Sequence, residues 1–323
     1  MGMDFLKLSL ATALSASALM GSAFAEDKEI VAIYKSGTQQ YFIDQGEGFK
    51  AVAEQMGYNA KIINVELDAN LAISAISDAI ASGAKGIAIT APDQALGPAA
   101  AAAAKDAGVY LIATDDPLSD GDGNPIAFAG FDGVAMGTKV GERAGQLFRA
   151  ENWLKDETYG ILSAEVQTVS VCNDRTNAAI EQMLAAGADE SSVIHVAYEG
   201  TADSALAAAG PVITGNPAVN KWVVFACNDE GVLGATNALK NAGFAAGDVI
   251  GVGLGAYEAC RPWKAGIDSG FKAALYISGV DVGGAAARTL INSIESGDPL
   301  PLKTVANTTI VGPNDYADVM PCN

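Results

Sequence analysis

Short, β-branched apolar runs alternate with longer segments of helical spacing along almost the whole chain. The runs are EIVAIY (29–34), AKIINV (60–65), GIAIT (86–90), VYLIAT (109–114) and IAFAGF (126–131), then YGILS (159–163), VIHVAY (193–198), WVVFA (222–226), VIGVGL (249–254) and KAALYI (272–277). They are continuously apolar rather than alternating, as strands covered on both sheet faces require. Between them apolar residues recur at helical spacing, as at Ile73, Ile76 and Ile80 behind Asp68, a side chain suited to a helix N-cap. Repeated strand–helix units predict parallel sheets with right-handed crossovers. Ten strands are more than one small doubly wound sheet usually holds, so the pattern predicts an α/β protein with two doubly wound parallel-sheet lobes.

The first passage between lobes falls near Asp132-Gly133, where a strand ends and a helix opens. If the lobes share the chain, residues 278–305 return to the first lobe and the tail from about 309 closes on the second. The expected division is 26–132 plus 278–308 against 133–277 plus 309–323. No Pro/Gly/Ser-rich linker separates the two, which favours hinged lobes over beads on a string.

Residues 1–25 stand outside this pattern. Lys7 precedes the apolar, small-residue stretch LSLATALSASALMG, and Ala23-Phe24-Ala25 forms a small-x-small pattern before Glu26-Asp27-Lys28. This reads as a secretory signal peptide cleaved after Ala25, so the mature chain is expected outside the cytoplasm. No later segment offers the ~20 uninterrupted apolar residues of a spanning helix.

Charge narrows the partners. The net charge of −19 is unchanged by cleavage, because Asp4 and Lys7 leave together. A surface this acidic repels nucleic acid and anionic lipid, whose binding rests on Lys and Arg. The four cysteines, Cys172, Cys227, Cys260 and Cys322, show no CxxC and no histidine at ligand spacing, so no metal site is expected. An oxidising compartment permits disulfides. Spacing cannot fix connectivity, but Cys322 in an otherwise unanchored tail makes Cys260–Cys322 the bridge to expect.

In open parallel sheets ligands bind beyond the carboxyl ends of the strands. Those positions hold Lys35, Thr90 and Asp115-Asp116 in the first half, and Glu165, Asn228-Asp229 and Gly255 in the second. Arg175 opens a helix beyond the 164–171 loop, and Gln39, Gln40, Tyr41 and Phe42 line the first strand-to-helix turn. Carboxylates accept from neighbouring hydroxyls, Arg donates a planar fork and Asn does both. An aromatic ring such as Tyr41 covers the apolar face of a pyranose. Each polar residue also has a plainer use as a helix cap, a turn or a surface ion pair; their shared rim favours a ligand site.

Enzyme signals are weaker. The lone histidine, His195, sits mid-strand, and no GxSxG, HExxH or Walker loop occurs. Gly251-Val-Gly253-Leu-Gly255-Ala256 fits a dinucleotide fingerprint, but it comes late and the next strand ends without the acidic residue that fingerprint needs. Its glycines are better read as allowing close backbone approach. No catalysis and no cofactor are expected.

The ordered segments ASGAKGIAITAPD (81–93), YLIATDDPL (110–118), GTKVGERAGQ (137–146), WVVFACNDEGVLGA (222–235) and DVIGVGLGAYEA (248–259) resemble the periplasmic sugar-binding proteins of ABC transporters, closest to the L-arabinose-binding branch of the type I periplasmic binding protein family. The resemblance spans nearly the whole mature chain. It implies the type I fold with three hinge crossings, a closing cleft, and delivery of a sugar or polyol by a monomer to a membrane ABC permease; a chemosensory receptor is the alternative client, and a sugar-processing enzyme a third class. It further implies Lys35, Asp115 and Asp116 as ligand groups of the first lobe, with Arg175 and Asn228 opposite. Gln39 stands where the family has an acidic residue, Tyr41 for its tryptophan, Thr90 for its cysteine, Cys227 for its methionine and Gly255 for its asparagine. These departures alter hydroxyl recognition, and the glycine leaves room for a longer ligand than arabinose.

Overall fold

The computed structural model describes residues 28–322; the expected signal peptide and its cleavage site lie outside the described residues. The chain forms twelve strands among these residues, arranged as two six-stranded sheets. The first sheet contains β1 (Glu29–Tyr34), β2 (Asn59–Asn64), β3 (Gly86–Ile89), β4 (Tyr110–Thr114), β5 (Phe128–Gly130) and β11 (Lys303–Val305), in the order β11-β5-β4-β3-β1-β2. The second contains β6 (Tyr159–Glu165), β7 (Val193–Ala197), β8 (Lys221–Ala226), β9 (Val249–Gly255), β10 (Phe271–Ile277) and β12 (Thr308–Val311), in the order β12-β10-β9-β8-β6-β7.

Burial explains why these runs are apolar throughout. β1 sends Ile30, Ala32 and Tyr34 into one core and Val31 and Ile33 into another, all fully buried. One side is covered by α1 (Gln40–Gln55) and α10 (Gly279–Ser296), which pack on each other; the other by α2 (Ala69–Ala81) and α3 (Gly97–Ala107). Around the second sheet α4 (Gly133–Ala150) packs on α6 (Ser170–Ala185), and α7 (Ala202–Gly215) on α8 (Asp229–Asn241). The short α5 (Trp153–Asp156) and α9 (Tyr257–Lys264) complete the helices.

Chain passage between the sheets occurs after β5, where Asp132 caps α4 by accepting from the Ala135 amide; after β10, where Ser278 caps α10; and between β11 and β12. Two features differ from the sequence pattern. β11 and β12 were not anticipated, being short and carrying polar residues, and β12 runs antiparallel to β10 at the sheet edge. In α2 the Asp68 cap is present, but Ile73 faces solvent while Ala72, Ala75, Ile76 and Ala79 form the buried stripe.

Cys260–Cys322 is a disulfide, as expected, and ties the C-terminal tail to α9. A second bridge, Cys172–Cys227, joins the first turn of α6 to the end of β8. α4 and α6 approach so closely that a Cβ at Gly137 would lie 2.1 Å from the backbone oxygen of Arg175. We expect Gly137→Ala to force the helices apart, lowering unfolding free energy by about 1–3 kcal/mol in urea titrations.

Candidate ligand site between the lobes

The carboxyl ends of both sheets face a common cleft, and the backbone there is unusually contorted. Asp115 after β4 (φ 60°) and Ala256 after β9 (φ 70°) occupy the left-handed region, as do Glu66 and Leu67 beyond β2. Such strain persists only where surrounding structure enforces it, and it clusters at ligand clamps.

At the centre lies a small chamber of about 50 Å³ lined by residues from both lobes, among them Lys35, Tyr41, Asp115, Arg175, Glu230 and Tyr257. It shares Lys35, Gln39, Cys227 and Asn228 with a wider mouth of about 490 Å³. Lys35 extends from the end of β1 to Asp116, to which its ammonium is hydrogen-bonded, and lies 3.8 Å from Asp115 Oδ2. On the other side Asp115 Oδ1 accepts from Arg175 Nη2 at 3.4 Å, a contact that spans the cleft. Arg175, 4 % exposed, also donates through Nη1 to the Cys227 carbonyl at 3.1 Å. Burial pushes the Asp116 carboxyl above its usual range, with Lys35 opposing the shift.

Two further bonds join the lobes. Gln39 Nε2 donates to the Gly200 carbonyl at 3.1 Å. The Ser170 amide, at an α6 N-terminus that its own Val169 cannot cap, donates to Gln94 Oε1 at 2.6 Å. Asn228 accepts from the Gly231 amide and the Tyr198 hydroxyl, at 3.0 and 2.5 Å, and donates to Gly200 O at 3.0 Å. Much of its bonding capacity is therefore spent on capping α8 and tethering the 198–200 loop.

Of the sequence-derived candidates, Lys35, Gln39, Tyr41, Asp115, Arg175, Cys227 and Asn228 line the chamber, and Asp116 backs it through Lys35. Two candidates are not brought there. Thr90 is fully buried behind the site, sharing a 2.7 Å hydrogen bond with Thr114. Glu165 accepts from Ser163 at 3.0 Å and meets His195 Nδ1 at 2.5 Å, so its carboxylate turns along the sheet rather than into the cavity. Cys227 offers no free thiol, since its sulfur is bonded to Cys172; its carbonyl does the positioning.

Phe42, which the sequence placed at the first strand-to-helix turn, also lines the chamber, and residues not singled out from the sequence complete the wall: Glu230, Leu254, Tyr257 and Ile277. Tyr41 stands edge-on to Phe42 and Tyr257, with centroids 5.0 and 6.2 Å away. Its hydroxyl is buried without a partner, and desolvation pushes its phenol well above the usual range. Asp229 Oδ2 accepts from the Glu258 amide at 2.9 Å, at the start of α9. This explains the glycine motif of β9: a Cβ at Gly253 would lie 2.2 Å from Asp229 Oδ1. Burial raises the Asp229 carboxyl to about 6 although backbone amides of Glu258, Ala256 and Ala259 oppose the shift, and raises Glu230 to about 8, with Asp229 adding repulsion. For both groups the folded state holds protons more tightly than the unfolded one, so stability is greatest below the unfolded pKa and is lost as pH rises through about 8. Glu230→Gln is expected to flatten this fall and to stabilise the ligand-free protein on the order of 2 kcal/mol at the alkaline end, read by denaturation across pH.

A family model described as the periplasmic binding protein domain matches residues 30–298. An L-arabinose-binding periplasmic protein of an ABC transporter in Azospirillum brasilense is 30% identical over 88% of this chain and 87% of its own length. The L-arabinose-binding periplasmic protein of Escherichia coli K12 is 28% identical, covering 92% of this chain and 90% of that one. The crystal structure of an ABC transporter periplasmic solute-binding protein from Actinobacillus succinogenes, with bound D-allose, superposes with a TM-score of 0.75 at 20% identity, over 90% of this chain and 99% of that one. With the two facing parallel sheets and the inter-lobe cleft, these matches establish that the chain belongs to the periplasmic binding protein family and has its type I fold.

Proposed function

We propose that this protein is the periplasmic solute-binding component of an ABC importer and that it encloses one monosaccharide or related polyol between its lobes. The observation that supports this best is the junction of Lys35 and Asp115-Asp116 with Arg175 in one buried chamber. The relatives named for L-arabinose and the neighbour holding D-allose give the ligand class.

In this reading the lobes are 26–132 plus 278–308 and 133–277 plus 309–323, swinging about the three passages between the sheets, and the mature chain begins after Ala25. In the open form both half-sites are hydrated. A sugar hydroxyl then takes the place of water between the Asp115 carboxylate and the Arg175 guanidinium, and Tyr41 covers an apolar ring face while its buried hydroxyl gains a partner. Closure desolvates every polar group in the chamber, so a missing ligand hydroxyl leaves an orphan costing about 1–3 kcal/mol. Micromolar affinity needs only about −8 kcal/mol, within reach of a few charge-assisted bonds. The closed form is what a permease distinguishes.

The protein holds its ligand without transforming it. His195, the lone histidine of the sequence, is engaged with Glu165 on the edge strand. A thermal-shift screen of pentoses, hexoses and alditols should return a ligand that raises the melting temperature by mass action and is recovered unchanged after incubation. Conversion of that ligand would instead identify an enzyme. Arg175→Ala should weaken its binding more than a hundredfold by calorimetry, by leaving the guest without its second-lobe donor.

A further inference from the structure

The charges around the chamber do not balance. Four carboxylates, Asp115, Asp116, Asp229 and Glu230, meet two cations, Lys35 and Arg175, among the described residues there. Three carboxylates have evident partners: Asp116 takes Lys35, Asp115 lies between Lys35 and Arg175, and Asp229 accepts from the start of α9. Glu230, in the first turn of α8, has no ion-pair partner among the described residues. Lys35 acts on it only weakly, while Asp229 and Glu258 repel it. Glu258 is itself occupied by Arg261 at 3.0 Å, and Tyr198 across the turn is committed to Asn228.

A second observation concerns the wall beside that carboxylate. Tyr41, Phe42 and Tyr257 line the same chamber as Glu230, and Tyr41 stands edge-to-face with each of the other two. Tyr41 keeps a buried hydroxyl without a partner. Phe42 already receives one cation, the Lys35 ammonium 5.4 Å from its ring centre. A carboxylate lacking a counter-ion beside clustered aromatic rings is the chemistry that recognises an organic ammonium, through a charge-assisted hydrogen bond and the negative ring faces. A neutral polyol has no means of compensating the second surplus charge, and burial then keeps Glu230 protonated instead.

We infer that the preferred guest is an aminated sugar or aminated polyol whose ammonium group is received by Glu230 among Tyr41, Phe42 and Tyr257, while its hydroxyls engage Lys35, Asp115 and Arg175. This rests on the sugar-receptor reading and specifies the ligand class within it. The ammonium ionises Glu230 on arrival, so one proton leaves to solvent as the complex forms; a neutral sugar releases none.

The test is titration calorimetry of the mature protein near pH 6.5, where a primary amine of ordinary basicity is still protonated. D-glucosamine and D-galactosamine are compared with D-glucose, D-galactose, L-arabinose and the N-acetylated amines, in buffers of different ionisation enthalpy. We expect at least one free amino sugar to bind tenfold or more tighter than both its neutral parent and its N-acetyl derivative, with release of a proton. In Glu230→Gln that ratio should collapse toward one and proton release should vanish. Neutral sugars binding the native protein as tightly as their amines, or a ratio untouched by the substitution, overturns the amine assignment and leaves the sugar receptor standing. Failure of every sugar, aminated or neutral, to bind the native protein overturns both.

Discussion

Arg175 and Asp115 meet across the cleft, one from each lobe, and the arrangement of the site depends on that contact. Neither half is electrically complete alone. The first sheet supplies Lys35 with two adjacent carboxylates, and the second supplies Arg175 beside Asp229 and Glu230. Moving such groups out of water costs several kcal/mol per ion unless they are paired with good geometry. The charges therefore oppose closure when they are mismatched and favour it when a bridging molecule or each other's presence satisfies them. Selectivity follows from the same physics, since closure removes the water that would otherwise forgive an unmatched group.

Much of the remaining structure serves to hold these few atoms in register. Asp115 can point toward both Lys35 and Arg175 because its backbone takes a left-handed turn straight off β4. Arg175 is fixed from three directions. Its own carbonyl lies against the bare face of Gly137, its Nη1 is bonded to the Cys227 carbonyl, and Cys227 is covalently tied to Cys172, one turn before Arg175 on the same helix. A side chain of such length loses considerable rotamer freedom on ordering, so its supports contribute to the site even where they never touch a guest.

The architecture was largely legible because parallel strands buried on both faces must be apolar at every position. All ten runs marked in the sequence are strands, and their ends set the rim. β11 and β12 escaped because edge strands of three and four residues with exposed Lys303 and Thr309 carry no such constraint. At the site, strand ends gave position but not direction. Lys35 and Asp115 point inward, whereas Glu165 and Thr90 occupy equivalent stations and turn to His195 and Thr114. Glu230 and Tyr257 were missed because they stand beyond the strand ends, where a helix's first turn rotates the chain back toward the cleft. The Cys172–Cys227 bridge was beyond reach, since spacing does not encode connectivity.

Tyr257 joins the chamber to the path of the chain between lobes. Its ring lines the cavity, while its hydroxyl donates to the Ile277 carbonyl at 3.2 Å and accepts from the Gly279 amide at 3.3 Å, on either side of the second passage between the sheets. A guest resting on that ring thus presses on a residue clamped to a connecting segment. Any preference of the guest for one setting of Tyr257 is a preference for one setting of that segment, and a ligand shifts an equilibrium only by such differential contact. An aromatic group of the proposed site is therefore mechanically placed to couple a guest's presence to the relative position of the lobes.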